Sequence, residues 1–273
     1  VPGALVVPEV VVTRIAGSHV VVAGGSQGIG LATAHACLAR GARVSIISRD
    51  RDRLASAQRQ LGEGVATAAA DVTDARALEA ALDDLAMANG GCDVLVAAAG
   101  RAEPGYFLEL ETEVFRRQVE LNYLGSLHAV RAVLPRMVAL GRGHVVLVSS
   151  LSGLIGVFGY GAYTPTKYAV RGLGEALHGE FRHRGIVTSV VYPPDTDTPG
   201  FRRENLTKPE ETLLLSGGIA PVSADRVARA IVRGIERDRL HVGVEWQTRL
   251  IARLADLPGP ALRAAMRRRL HGG

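Results

Sequence analysis

The sequence predicts an α/β domain in which a mainly seven-stranded parallel sheet is doubly wound, with helices on both faces. Three observations predict it. Short β-branched runs alternate with alanine-rich helical stretches from about residue 19 to residue 245. The apolar runs are continuous, as expected of strands buried on both faces. A glycine-rich turn, "AGGSQGIG" (23–30), joins the first strand to the first helix.

In chain order the expected strands are "HVVVAG" (19–24), "RVSIIS" (43–48), "VATAAAD" (65–71), "DVLVAAAG" (93–100), "GHVVLVSS" (143–150), "IVTSVVYP" (186–193) and "LHVGVE" (240–245). Helical stretches fall between them near 29–40, 50–61, 74–89, 111–140, 162–184 and 223–238. Each is long enough to cross over the sheet in the right-handed sense and return a parallel strand. The longest irregular stretch, 193–221, exceeds a simple connection, so the segment at about 194–221 reads as a lid. Residues 1–245 read as one domain and 246–273 as its helical C-terminal extension.

Composition excludes several classes. The 273 residues are 47% hydrophobic, enough for a substantial core and against extended disorder. Net charge is +5, but the basic residues are scattered among 27 acids and only 4% of residues are aromatic, which argues against nucleic-acid binding. Cys37 and Cys92 lack metal-ligand spacing and read as reduced, buried thiols of a cytoplasmic protein, with no metal site. No apolar run reaches the roughly 18–20 residues that span a bilayer. The start, "VPGALVVPEVVV", lacks the basic region of an export signal.

The chemistry begins at the glycine turn. Gly24, Gly28 and Gly30 permit a tight turn and close backbone approach, and the following helix N-terminus offers free N–H groups to a pyrophosphate. This is the dinucleotide-binding arrangement of a Rossmann-type domain. The end of the second strand selects the coenzyme. An acid there would pair with the ribose hydroxyls of NAD, whereas this chain has Ser48 and Arg49, with Arg51 and Arg53 close behind. Guanidinium suits a 2′-phosphate, so NADP(H) is expected. Asp71 ends the third strand where the adenine would lie, with Val72 beside it.

Lysine is scarce. Of 32 Lys plus Arg, only Lys167 and Lys208 are lysines, and Lys167 stands four residues after Tyr163. Arg stays charged and flat, whereas Lys is a compact charge whose pKa moves with its surroundings. A site that lowers a tyrosine pKa and passes a proton onward needs Lys.

With the glycine turn, "DV" at 71–72, "LNYLG" at 121–125, Ser150, and Tyr163-x-x-x-Lys167, the chain resembles the short-chain dehydrogenase/reductase family over roughly 19–245. The resemblance implies that Tyr163 donates a proton to a substrate carbonyl during hydride reduction. It implies that Lys167 lowers the Tyr163 pKa and binds the nicotinamide ribose, that Ser150 holds the carbonyl oxygen, and that Asn122 positions a water for the relay. Coenzyme contacts would come from Ser26, Gln27 and Ile29 in the glycine turn, and from Ala98 and Gly100 after the fourth strand. Pro193, Thr196 and Thr198 would contribute after the sixth. The family's polar residues linking the first and fourth strands are replaced by Ala23 and by "AAAG" (97–100). Losing both ends of such a link leaves no buried partner unpaired.

A narrower resemblance lies at 144–215, where "YPPDTDTPGF" (192–201) and the following Glu204, Asn205 and "TKPEET" (207–212) look like the 3-ketodihydrosphingosine reductases of sphingolipid synthesis. It implies a long-chain β-keto lipid substrate. Another lipid, steroid or polyketide ketone stays open. So does a non-catalytic NADP-binding sensor, against which the complete set of Asn122, Ser150, Tyr163 and Lys167 argues. Lys208 falls inside this signature and reads as a solvated lid charge. The resemblance also implies a homodimer or homotetramer through the helices at 111–140 and 162–184. Finally, Leu250, Ile251, Leu254 and Leu257, then Leu262, Ala265, Met266 and Leu270, recur at helical spacing among arginines. Such helices suit packing on the body or a neighbouring subunit, or peripheral contact with an anionic membrane surface.

Overall fold

The structure, a computed structural model, describes residues 13–216 and 220–255. Strand β1 (His19–Ala23) runs into helix α1 (Gly28–Leu38), followed by β2 (Arg43–Ser48), α2 (Arg51–Leu61), β3 (Ala66–Ala69) and α3 (Ala75–Asn89). The second half begins at β4 (Val94–Ala97) and continues through α4 (Thr112–Gln118), α5 (Gly125–Leu140), β5 (Gly143–Val148), α6 (Thr164–Phe181) and β6 (Ile186–Tyr192). Then come β7 (Thr196–Asp197), α7 (Pro199–Glu204), α8 (Glu210–Ser216), β8 (Val222–Ser223), α9 (Ala224–Ile235), β9 (His241–Gly243) and α10 (Trp246–Ala255).

The main sheet has seven parallel strands, as the sequence predicts, and their order is β3-β2-β1-β4-β5-β6-β9. Chain direction around the sheet reverses between β1 and β4. In such sheets a cleft opens there, beyond the carboxyl ends of the strands.

Why the strands are apolar throughout is visible in β1. Successive side chains of a strand point to opposite faces. Val20 and Val22 enter one core with Ala34 and Cys37 of α1 and Val227, Ile231 and Ile235 of α9. Val21 and Ala23 enter the other with Leu78 and Leu82 of α3 and Val130 and Met137 of α5. Each buried Val, Leu, Ile or Met among them contributes roughly 1.5–3 kcal/mol by leaving water. Two buried histidines, His19 and His144, belong to this framework. His144 bonds Thr13 and Ser189 at 3.0 and 2.9 Å, and burial pushes its pKa down to about 3, so it is a neutral packing residue.

Helix starts are chosen by capping side chains. Asp50, Asp74 and Ser223 each accept a hydrogen bond from the first turn of α2, α3 and α9. One expectation is refined and one corrected. The stretch expected near 111–140 is helical from Thr112 to Leu140, with a π-helical segment at Val119–Leu124 between α4 and α5. The stretch at 193–221 is not irregular throughout. It carries α7, α8 and one strand of the short parallel β7–β8 pair, with Thr198 capping α7 through a 3.1 Å bond from the Phe201 N–H.

Cys37 and Cys92 are free thiols, and burial pushes both up to about 12. Among the described residues no helix is long and apolar enough to cross a membrane, and no cluster of potential metal ligands occurs. In α10 the expected apolar face divides. Leu250 is exposed, while Ile251 packs against a small core containing Val190 and Tyr192. Leu257, Leu262, Ala265, Met266 and Leu270 lie outside the described residues.

Candidate active site

Two adjoining clefts open at the switch point between β1 and β4. The first, of about 480 Å³, is lined by the glycine turn and by the ends of β2, β3 and β4. The turn has no room for side chains. Gly24 sits at φ +87°, and a Cβ there would lie 2.6 Å from the Ala99 nitrogen. A Cβ on Gly30 would lie 2.1 Å from the Gly24 carbonyl oxygen. Unlike α2, α3 and α9, helix α1 has no side-chain cap, since Gln27 makes none, and its first turn holds no acid. Its first N–H groups and its positive dipole end are therefore left for an anion in the cleft. A dinucleotide pyrophosphate fits this cradle.

At the far rim, Ser26 donates to Ser48 at 2.9 Å, and Arg49 pairs with Asp71 at 3.0 Å. Burial pulls the Asp71 carboxyl upward, but bonds from the Thr73 N–H, Arg49 and the Thr73 hydroxyl hold it below its ordinary value. Arg53 reaches Asp50 at 2.9 Å and Gln27 at 3.4 Å. All the sequence-predicted positions Gly24, Ser26, Gln27, Gly28, Ile29, Gly30, Ser48, Arg49, Arg53, Asp71, Val72, Ala98 and Gly100 line this cleft, as does Thr198. Arg101, Leu121 and Arg203 line it as well and escaped the sequence reading. Arg203 comes from α7, and no local pattern announces that this helix folds back on the glycine turn.

The second cleft, of about 340 Å³, shares Ile29, Ala98, Gly100 and Thr198 with the first and is lined by Ser150, Tyr163, Lys167, Pro193 and Thr196. Tyr163 sits at the start of α6, which places Lys167 one turn on, with its Nζ 5.5 Å from the Tyr163 ring centre. Lys167 is 3% exposed and donates to the Val148 carbonyl at 2.9 Å. Burial lowers its pKa to about 8. The Tyr163 phenol goes the other way. Burial and then the Glu204 charge push it up, a hydrogen bond with Ser150 opposes them, and Asp195 adds to the rise. The phenol therefore lies above its ordinary value rather than below it, first because it is buried and then because the Glu204 charge faces it.

Asn122 is fully buried in the π-helical turn. Its Oδ1 accepts from the Arg101 N–H at 2.9 Å, and its Nδ2 donates to the Arg101 carbonyl at 3.0 Å and to Thr166 Oγ1 at 3.2 Å. These bonds fasten the segment after β4 onto α6. Gly100 lets the arrangement close, since a Cβ there would lie 3.0 Å from Asn122 Oδ1 and 3.3 Å from Lys167 Nζ.

The expectation for Lys208 is overturned. Its side chain is 2% exposed and lies 3.5 Å from Glu204 and 3.6 Å from Asp195. Glu204 and Asp195 line the second cleft and were not recognised in the sequence. The one signal was the position of Lys208 four residues after Glu204 on a helical spacing.

Comparison with known proteins places this geometry. The short-chain dehydrogenase family model matches residues 18–209. The chain belongs to the short-chain dehydrogenase/reductase family. Among curated relatives it is similar to a 3-ketodihydrosphingosine reductase of Dictyostelium discoideum, 41% identical over 263 residues, covering 89% of this chain and 79% of that protein. It is also similar to a 3-dehydrosphinganine reductase of Danio rerio, 40% identical over 228 residues, covering 81% of this chain and 69% of that one. A solved short-chain dehydrogenase from Streptomyces avermitilis is 26% identical with a TM-score of 0.77, covering 93% of this chain and 98% of its own. Levodione reductase, 24% identical with a TM-score of 0.78 over 86% of this chain and 99% of its own, shares the fold. As a member of this family the chain is an oxidoreductase, and its coenzyme is a nicotinamide nucleotide.

Proposed function

We propose that this enzyme reduces the ketone of 3-ketodihydrosphingosine, or of a similar long-chain β-keto lipid, with NADPH. The observation that carries the reading is the convergence of Tyr163, Ser150 and the buried Lys167 in a cleft continuous with the dinucleotide cradle. Bound NADPH supplies the hydride. Ser150 and Tyr163 hold the carbonyl oxygen between them, and the Tyr163 Oη–H proton passes to that oxygen, so the C=O becomes CH–OH. A phenol whose pKa is raised stays protonated at neutral pH, which suits the reducing direction. Lys167, held near 8 by burial, can give a proton back to the phenolate at that pH. Asn122 acts as a positioning residue for Lys167 through the Thr166 hydroxyl and the Arg101 peptide.

Arg49 and Arg53 support a coenzyme carrying a 2′-phosphate, and Ser48 puts no carboxylate in its way. Two observations support a long-chain substrate. The relatives above are named for one, and the segments forming the cleft rim expose Ile155, Phe158, Leu206, Leu213 and Leu214. The segment at 194–221 is read as the lid over this cleft. The reading extends to a homo-oligomer through the face of α4–α6, where Val119, Leu140 and Tyr168 stay exposed.

The test is an NADPH-oxidation assay over keto-lipids of graded chain length. Turnover should rise with chain length and be highest for 3-ketodihydrosphingosine. Preference for short or cyclic ketones would replace the lipid with another substrate, and NADH used as well as NADPH would overturn the coenzyme assignment.

A further inference from the structure

The proton relay leaves one group of charges unused. Asp195, at the end of the Pro193–Pro194 turn, and Glu204, at the end of α7, both line the substrate cleft beside Tyr160 and Phe201. Lys208 sits behind them, buried, with its Nζ 4.2 Å over the Phe201 ring. Tyr160 Oη donates to Glu204 Oε1, and the same oxygen faces Lys208. Glu204 Oε2 receives no hydrogen bond among the described residues. The Tyr160 ring also packs on Tyr163, with centroids 5.8 Å apart, so the carboxylate lies one ring away from the reacting phenol.

The charges do not balance. Two carboxylates meet one ammonium, which leaves a net negative charge on a wall where Glu204 is 15% exposed and Lys208 2%, while Asp195, at 41%, stays partly in water. An uncompensated charge in such a place is costly. Burial raises the Glu204 carboxyl, against the pull of Tyr160 and Lys208, which is the signature of that cost. A cation entering the cleft would bring the group to neutrality and satisfy the open Oε2. Tyr160 holds that oxygen's carboxylate in place, and Lys208 keeps the two acids together without filling the cleft, which accounts for a buried lysine in a chain that otherwise uses arginine.

We propose that Glu204, assisted by Asp195, binds a protonated amine on the carbon next to the reacting carbonyl, and so selects α-amino ketones over plain ketones. This rests on the reading above that Ser150 and Tyr163 receive a carbonyl in this cleft. The α-amino ketone class contains 3-ketodihydrosphingosine, so the two readings meet in one substrate.

The test compares parent and Glu204→Gln on two ketones of equal chain length at saturating NADPH: 3-ketodihydrosphingosine and its analogue without the amine. The Gln keeps the size and an acceptor for Tyr160 but removes the charge. A charge-assisted hydrogen bond of ordinary strength predicts that the parent prefers the amine by about 10- to 100-fold in kcat/KM, and that the variant loses most of that preference through KM. A parent with no preference overturns the inference while leaving the reductase reading intact. Equal slowing of both ketones in the variant also overturns it, because Glu204 would then only fasten α7. If the parent reduces neither ketone, the reductase reading itself fails. A measurement on the parent alone guards against misfolding of the variant. A long-chain 2-amino alcohol should inhibit at about tenfold lower concentration than the same alcohol without the amine, and equal inhibition would refute the amine site.

Discussion

Replacing Lys167 by Met tests whether the proton relay is maintained at a cost in stability. Burial lowers the Lys167 ammonium from its ordinary 10.5 to about 8. At ~1.36 kcal/mol per pH unit, this corresponds to a cost of about 3 kcal/mol at neutral pH. The sign follows from proton counting. Below pH 8 both folded and unfolded chains carry the proton, and the cost is present in full. Between about 8 and 10.5 the folded chain has released the proton and the unfolded chain has not, so this group makes stability rise with pH. Above pH 10 the raised Tyr163 and Tyr160 phenols act in the opposite sense, which sets the upper limit of a clean experiment.

Met has no charge to bury but leaves the Val148 carbonyl, now 2.9 Å from Nζ, without its donor, a loss of about 1–3 kcal/mol. The difference at any one pH therefore mixes two effects, whereas the pH dependence isolates the ammonium. Urea unfolding of both proteins at pH 7, 8 and 9.5 should show the parent gaining about 2 kcal/mol on the variant across that range. Lys167→Arg should lack the same gain, since a guanidinium does not deprotonate, and it should reduce substrate poorly despite keeping the charge. Parallel stability curves for parent and Met variant would refute the account of Lys167.

Other outcomes follow from the same geometry. Tyr163→Phe keeps the ring but removes the proton, so coenzyme titration should be little changed while turnover falls about 10²–10⁴-fold; loss of coenzyme binding instead would make Tyr163 a structural residue. Arg49→Ala should raise KM for NADPH far more than for NADH, and equal effects on both would remove the 2′-phosphate from its role. Gly30→Ala places a methyl 2.1 Å from the Gly24 carbonyl, so nucleotide fluorescence titration should show binding abolished, and retained affinity would contradict the packed turn. Co-sedimentation with anionic vesicles should show weak, salt-sensitive binding that is lost when residues 247–273 are deleted; no pelleting of an active protein at low salt would remove the membrane role of that segment.

The sequence by itself determined the sheet, the glycine cradle and the relay. Each is written locally. Strand and helix alternate with their own periods, Gly24, Gly28 and Gly30 are fixed by a turn of seven residues, and Tyr163 and Lys167 meet because a helix brings the fourth residue round to the same face. The tertiary structure decided what these residues face. Asn122, in the π-helical turn, bonds Arg101 and Thr166, which lie 21 and 44 residues away in the chain. Lys208 looks like a solvated lid charge until α7 and α8 fold over the cleft and bury it between Glu204 and Asp195. The direction of the Tyr163 pKa follows from burial of the phenol first and then from the Glu204 charge, which no helical spacing connects to it. Electrostatic energy depends on distance and burial in space, and a pattern read along the chain contains neither for residues that only folding brings together.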